Sequence, residues 1–385
     1  MLLVLMDLVS GYLVLETEAK NRSYATWLEK AESRLDEMGI QVKHFISDRG
    51  KSLIKLATSG FGVYAGADLF HAQYDISKWL GRSLHGKMGR ASKQLQEALA
   101  KKPTLKTATK IEIQEQKIEQ CKKKLDKIDA GKKAYDKAQH AISTALHVFS
   151  IRDNTAQNSE QVEKQLEEGA ISFEQIAQGQ SVHDNKDVVG KFRRQFKDLA
   201  SVVDAWWIWT TENLSEFKLP DNQKYWLLYV FLPVIYWHHQ FQKTKNPEMK
   251  NLYKKSWHKA QIVYTGHPIT QTMSQADLKH WRGWGESVSN NFHRASSAVE
   301  GRNGMLSQCY RNGRGLSNKR LSALTVVHNY DTRRWDGTTP AERLYGEQFP
   351  DLFEWLLKRT GALPLPRIRK RGDAPNPLII QTVAA

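Results

Sequence analysis

The sequence is poor in cysteine. Its two cysteines, Cys121 and Cys309, lie far apart in the chain and give neither a disulfide framework nor a zinc-binding spacing, which favours a reducing compartment. Acidic residues are also few: 41 Asp and Glu stand against 57 Lys and Arg, a net charge of +16 over 385 residues. Such an excess is typical of proteins that bind a polyanion, most often nucleic acid, although a merely basic solvated surface explains it as well.

Long hydrophobic runs are missing too. The run over residues 225–237 has 13 residues and contains Pro233, so it is too short to cross a bilayer. The apolar start of the chain has no basic segment and is interrupted at Asp7, which argues against a signal peptide. No GxxxxGK[ST], GxSxG or HExxH motif occurs, so a P-loop nucleotide site, a serine hydrolase and a zinc protease have no support. We therefore expect a soluble chain with no membrane partner.

Residues 1–80 carry the patterns of a mixed α/β layer. Apolar residues at helical spacing predict a helix from about Tyr24 to Met38, with Ser23 as its N-cap and Gly39 at its end. Strand patterns surround this helix, the first two forming a hairpin. The predicted strands cover residues 2–7, 12–16, 40–47 and 62–67, and further helices are predicted to start near Lys51 and Asp68.

Residues 81–285 have the patterns of an all-helical body. Apolar residues repeat every seven positions over 111–142, the seam of a coiled coil. Pro103 separates this seam from an amphipathic stretch over 84–99, which predicts a helical hairpin that either folds back within one chain or dimerises two chains. The polar stretch over 150–186 predicts a loop with one short helix.

The remaining sequence divides into two parts. Residues 286–360 predict several helices around a basic loop, YRNGRGLSNKR, at positions 310–320. Residues 361–385 form a basic, Pro-rich tail that we expect to be disordered.

Two aspartates lie where a strand pattern ends. Asp7 follows the apolar run LLVLM, and Asp48 ends the strand pattern over 40–47, directly before Arg49. If the strands are neighbours, both carboxylates meet at one spot, where they repel each other unless divalent cations bridge them. Oxygen ligands of this kind suit Mg²⁺ or Mn²⁺. The alternative is that each aspartate caps a turn or a helix.

Glu300 is the best candidate for a third carboxylate. It lies on a predicted helix whose neighbouring positions are small and polar. Gly301 and Gly304 weaken that helix, so their presence suggests close approach by another molecule, such as a nucleic-acid backbone. The alternative is an ordinary Glu on a solvated helix face.

Three segments that carry these carboxylates resemble a known family. They read LMDLVSGYLVLE, HFISDRGKSLIKLA and SSAVEGRNG, and they are similar to the Asp-Asp-Glu transposases of bacterial insertion sequences. The downstream segment RGLSNKRLSALTVVHNYDTRRWDGTTPAERLYGEQFPDLFEWLL is similar to the C-terminal part of such transposases. The resemblance covers about 1–80 and 285–360, and the helical middle is similar to the insertion domain that some of these enzymes carry before the Glu.

The resemblance implies a fold and a chemistry. The fold is an α/β ribonuclease-H-like core, a mixed sheet with flanking helices, interrupted by a large all-α insertion with a coiled-coil hairpin. The chemistry is cleavage and transfer of DNA strands by two-metal phosphoryl transfer, in which Asp7, Asp48 and Glu300 hold two Mg²⁺ or Mn²⁺ ions. The implied partner is double-stranded DNA, the transposon ends and the target, bound by a homodimer or synaptic multimer in the bacterial cytoplasm at the nucleoid.

Basic residues near these carboxylates and in the basic loop are the candidates for contacts with DNA phosphates; each can equally be a plain surface cation. They are Arg49, Arg294, Arg302, Arg311, Arg314, Lys319 and Arg320.

The start of the chain departs from the family pattern. Relatives commonly have a DNA-recognition domain ahead of the first Asp, whereas six residues precede Asp7 here. We therefore expect a truncated or split copy whose activity is open. Two other functions stay open as well: a non-catalytic basic coiled-coil protein that binds DNA, and a metal-dependent nuclease without strand transfer.

Overall fold

The computed structural model describes residues 1–294, 297–313, 315–334 and 337–360 of the chain. Helices make up 71% of the structure. The strands are β1 Leu2–Met6, β2 Leu13–Glu18, β3 Phe45–Ser47 and β4 Ala65–Ala67. The α-helices are α1 Tyr24–Met38, α2 Lys51–Lys55, α3 Leu69–Ile76, α4 Arg82–Lys101, α5 Ala108–Ala145, α6 Ser159–Gly179, α7 Val188–Arg193, α8 Phe196–Ser215, α9 Asp221–Trp226, α10 Leu232–Lys243, α11 Pro247–Gly266, α12 Pro268–Thr272, α13 Gln275–Asn290, α14 Ser297–Asn312, α15 Asn318–Tyr330, α16 Pro340–Tyr345 and α17 Leu352–Thr360.

The prediction of a ribonuclease-H-like core with one mixed sheet is wrong for the described residues. β1 and β2 pair antiparallel in one sheet, while β3 and β4 pair parallel in a second, separate sheet. The hairpin itself is confirmed. The strands predicted over 40–47 and 62–67 are only three residues long each, the lower end of usual strand lengths.

Helices close the edges of the hairpin where further strands would have to pair. The backbone N–H of Leu13 in β2 donates to Oδ1 of Asn329 at 2.9 Å, and the Leu13 carbonyl accepts from Nδ2 of Asn329 at 3.1 Å. Asn329 belongs to α15, which packs on β2, and α14 packs on β1. Because a side chain satisfies these backbone groups, the sheet ends at β2 at this point.

The two sheets nevertheless share a small core. Leu3 of β1, Phe45 of β3, Ala65 of β4 and Trp27 of α1 are buried in one cluster. An adjoining cluster buries residues of the hairpin and α1 against Ala341 of α16. We call β1–β4, α1, α2 and α14–α16 together the α/β unit.

Local signals in α1 act as predicted. The Ser23 side chain accepts a hydrogen bond from the Thr26 backbone N–H, and Gly39 ends the helix in the left-handed region at φ 62°. Asp68 is the N-cap of α3, where its side chain accepts hydrogen bonds from the backbone N–H groups of Phe70 and His71.

Helices α3–α13, which we call the helical body, surround a separate core rich in aromatic residues. The predicted hairpin around Pro103 is confirmed, since α4 packs on α5 and Pro103 lies in the 3₁₀ turn Lys102–Thr104 between them. The heptad seam of α5 faces α4 and α6 of the same chain. Trp226 and Trp237 are fully buried in this core.

The prediction of a mainly irregular segment over 150–186 is wrong. It contains α6, a helix of 21 residues that begins with a capping box between Asn158 and Gln161. Its apolar positions, among them Leu166 and Phe173, are fully buried. Within the described ranges, no helix combines the length and apolar character needed to cross a membrane.

Candidate nucleic-acid site

Asp7 lies at the end of β1, in the turn that leads to β2. Its Oδ2 accepts the backbone N–H of Ser10 at 2.8 Å and also the Ser10 hydroxyl. Gly11 adopts φ 78°, a left-handed conformation that glycine allows at little cost. The turn therefore holds the Asp7 carboxylate in a fixed place through one of its two oxygens.

Three side chains from the C-terminal part of the α/β unit bind successive backbone carbonyls of this turn. We call these three side chains the turn clamp. Arg334 donates to the Val9 carbonyl at 3.4 Å, and Arg343 donates to the Ser10 carbonyl at 2.8 Å. Nε2 of His328 lies 2.9 Å from the Gly11 carbonyl and must donate to it. The clamp brings positive charge to the turn that carries Asp7.

Asp48 follows β3 directly, on the other sheet. Its Oδ1 accepts the Gly50 backbone N–H at 3.1 Å, and the side chain is exposed. The next residue, Arg49, has φ 64° and forms an ion pair with Asp198 of α8 in the helical body. Arg49 is thus engaged within the protein, at the seam between the α/β unit and the helical body.

Glu300 lies in the first turn of α14 and is exposed. Two residues further on, Arg302 is buried and joins α14 to β2 by two hydrogen bonds to Glu16, at 2.8 and 2.6 Å. Nothing lies within 4 Å of a Cβ added at Gly301 or Gly304, so no packing inside the protein requires these glycines. The side of α14 that contains them is open.

The described side chains do not form the predicted metal site. No group of three or more His, Cys, Asp or Glu residues within the described ranges is arranged to hold a metal ion. Asp7, Asp48 and Glu300 have the oxygen chemistry that Mg²⁺ and Mn²⁺ prefer, but the three do not form such a group. No metal-dependent step therefore follows from this geometry.

A cavity of about 280 Å³ lies beside Asp7, where α10 and α11 of the helical body meet the segment that follows α13. The negative charge of Asp7 acts on His293 in the cavity lining and favours the protonated form of this imidazole. The polar lining of this cavity consists of Gln240, Lys243, Thr244, Tyr253, His293 and Arg294. We call it the α10–α11 cavity.

Positive charge dominates the surroundings of the α10–α11 cavity. The pKa of Lys243 is lowered, first by desolvation and then by the charges of Arg294 and Arg334. Desolvation also lowers the pKa of His293 and of its neighbour His239 to about 4, with a further contribution from Lys243 in both cases. The two imidazoles are therefore neutral at pH 7, and the cationic groups are Lys243, Arg294 and Arg334.

A buried hydrogen-bond network holds Arg294 at the cavity wall. Its Nη1 donates to the carbonyls of Ser143 and Leu146, at 2.6 and 3.0 Å, and to Nε2 of His147 at 3.2 Å. Nδ1 of His147 lies 2.5 Å from the Tyr236 hydroxyl. Since Nε2 accepts, the proton of the neutral ring is on Nδ1, and burial together with Arg294 lowers the pKa of His147 well below its usual range.

The remaining basic residues named from the sequence differ in their surroundings. The Arg302 guanidinium is paired with Glu16 and only 4% exposed, so it is not open to a DNA phosphate. Arg311, Lys319 and Arg320 are exposed around the loop between α14 and α15. Arg314 lies outside the described residues, as does the basic tail over 361–385.

Sequence reasoning missed Lys243, His293 and the turn clamp. Lys243 ends an apolar helix, and in the sequence it looks like an ordinary C-terminal lysine. The segment RRWDGTTPAERL belongs to the stretch that resembles the family, but nothing in it shows that its arginines reach back to residues 9–11.

A comparison with protein families matches residues 227–372 to a family of unknown function (DUF6399). The matched stretch includes Lys243, Arg294, Glu300 and the turn clamp. No curated protein and no solved structure matches the chain.

Proposed function

We propose that the protein is a DNA transposase that cleaves and joins DNA strands, acting on double-stranded DNA as a multimer in the bacterial cytoplasm. One observation carries the proposal. The two segments with the family resemblance, separated by the whole helical body, pack together as one α/β unit. The Arg302–Glu16 pair and the Asn329–Leu13 bonds make that junction, and they bring the helix of Glu300 to the hairpin of Asp7.

The charge distribution supports a nucleic-acid substrate. The net charge of +16 favours association with a polyanion, and the turn clamp together with the α10–α11 cavity places cations beside Asp7. The reaction we propose is displacement at a DNA phosphodiester, first by water and then by a 3′-hydroxyl. Asp7, Asp48 and Glu300 are its acidic residues in this proposal. Because they do not form a metal site as they lie, we derive no step through Mg²⁺ or Mn²⁺.

Strand cleavage tests this proposal. Purified full-length protein is incubated with supercoiled plasmid and with end-labelled duplex DNA, with Mg²⁺ or Mn²⁺ present. We expect nicking by the wild type and a loss on the order of 100-fold or more in Asp48→Asn and Glu300→Gln, typical for removal of an essential charged group. Glu32→Gln, an exposed residue of α1, is the matched control and should keep full activity. Salt-sensitive DNA binding should persist in all three variants.

A second candidate is a non-catalytic DNA-binding protein. It is favoured by the lack of a three-carboxylate group among the described residues and by the engagement of Asp7 with Ser10. If the wild type binds DNA but never nicks it with either ion, this second function is correct. Nicking without joined products would instead identify a nuclease that does not transfer strands.

A further inference from the structure

Arg294 presents an incompletely used guanidinium to the α10–α11 cavity. Its three hydrogen bonds to Ser143, Leu146 and His147 all come from Nη1, and the guanidinium also interacts with the Tyr253 hydroxyl in the same lining. A guanidinium held by one nitrogen is pre-oriented, so little conformational entropy is lost when the other two donate to a ligand. Two parallel N–H donors match the oxygens of a phosphate or carboxylate.

Other donors line the same space without partners of their own. The Gln240 side-chain amide forms no hydrogen bond within the described part of the chain, although Gln240 is only 7% exposed. Lys243 forms no ion pair with a described carboxylate. Cations that face each other without a counter-ion repel each other. An anion bound between them would remove this repulsion.

We propose that the α10–α11 cavity binds a phosphate group, and that this group is a phosphodiester of DNA held next to Asp7. The guanidinium of Arg294 donates to two phosphate oxygens, and Lys243 supplies a second positive charge at the cavity mouth. The Gln240 amide and the Thr244 hydroxyl complete the set of donors. The DNA assignment rests on the function proposed above, whereas the phosphate chemistry rests on the lining residues alone.

A phosphate fits this lining better than a carboxylate. Two cationic side chains and at least two neutral donors surround the cavity, and a carboxylate would have to accept from all of them with only two oxygens. A phosphodiester offers two charged oxygens and two ester oxygens, and the volume of the cavity leaves room for the attached sugar. Asp7 acts on this cavity through His293, and it is not among the charges that shift the pKa of Lys243.

Thermal unfolding tests for the phosphate site. The melting temperature of the full chain is measured in inorganic phosphate and in chloride of equal ionic strength, for wild type, Lys243→Gln, Lys243→Glu and Lys245→Gln. Lys245 is exposed, lies two residues away and is not part of the lining. Lys245→Gln therefore removes the same charge as Lys243→Gln without altering the cavity. We expect phosphate to raise the melting temperature of wild type and Lys245→Gln and to lose this effect in both Lys243 variants. An equal phosphate effect in all four proteins, or none in wild type, overturns the site.

Affinity for duplex DNA, measured by fluorescence anisotropy at fixed salt, identifies the source of the phosphate. We expect Lys243→Gln to weaken binding about tenfold, since hydrogen bonds to charged groups contribute on that scale, while Lys245→Gln changes it little. If Lys243→Gln loses the phosphate effect but keeps wild-type DNA affinity, the cavity takes a small free phosphate and the DNA assignment is overturned. These are binding measurements, so they stand apart from strand cleavage. A protein that binds DNA through Lys243 and never nicks it would refute the transposase and leave this inference intact.

Discussion

Arg302 and Glu16 form a bidentate ion pair although 286 residues separate them in the sequence. Both side chains are almost completely buried, at 4% and 0% exposure, and Thr325 of α15 donates a further hydrogen bond to Glu16 at 2.6 Å. The pair therefore gives a guanidinium and a carboxylate opposite charges as partners in a place that is almost fully buried. It also fixes α14, and with it Glu300, against the hairpin that ends at Asp7.

Removing one partner of this ion pair should destabilise the protein severely. Arg302→Met leaves the Glu16 carboxylate buried without its countercharge, which costs about 3–5 kcal/mol. We expect the free energy of unfolding, measured in urea at neutral pH, to fall by that amount. Glu16→Leu should have a similar effect. The double variant should lose less than the sum of the two, because neither charge remains. Strictly additive losses would show that the two side chains do not interact.

Stability should fall as the pH falls below the ordinary pKa of histidine. The pKa of the half-buried His239 is lowered from 6.5 to about 4, so the unfolded chain takes up this proton at a higher pH than the folded chain does. Between pH 6.5 and about 4, each such group removes about 1.4 kcal/mol of stability per pH unit. His147, lowered still further, acts in the same direction.

Urea unfolding across this pH range checks that expectation. In His239→Gln, the free energy of unfolding should fall by about 3 kcal/mol less between pH 6.5 and about 4 than in the wild type, because one such group is missing. His258→Gln, at an exposed position of α11, serves as control and should follow the wild-type curve. If His239→Gln also follows that curve, the imidazole is not buried in its neutral form.

Gly304→Ala should stabilise the protein. Gly304 lies inside α14, and an added Cβ meets nothing within 4 Å, so the gain in helix propensity of about 0.5–1 kcal/mol comes without a steric cost. Gly169→Ala in α6 is the contrasting case. There the new Cβ lies 2.8 Å from Cγ1 of buried Ile142, and overpacking costs about 1–3 kcal/mol. Thermal unfolding of both variants decides this, and a destabilised Gly304→Ala would contradict the open helix face.

Local signals in the sequence were enough to predict several elements correctly. The cap at Ser23 and the stop at Gly39 define α1, and Pro103 marks the turn between α4 and α5. Such features depend on neighbouring residues, which the sequence displays directly. The capping box at Asn158 and Gln161 is a signal of the same kind, and it was overlooked within a polar stretch.

The sheet and the site depend instead on contacts between distant residues. Strand propensity suggested a broad sheet, but the Asn329 side chain occupies the backbone groups of Leu13 at the edge where another strand would join. Likewise, nothing near Lys243 in the sequence indicates that Arg294 shares its cavity. Asp7, Asp48 and Glu300 stand out in the sequence through their strand ends, helix face and family resemblance, whereas the lack of a three-carboxylate group among the described residues is visible only in three dimensions.

The long sequence separation between Glu16 and Arg302 determines when their ion pair can form during synthesis of the chain. At synthesis rates of roughly 5–20 residues per second, 286 residues take about 15–60 s to emerge from the ribosome. Throughout that interval the carboxylate of Glu16 and the edge of β2 have no permanent partners, whereas the helical body can already collapse. The α/β unit is thus completed last, and the nascent hairpin stays open to other strands or to chaperones until α14 and α15 arrive.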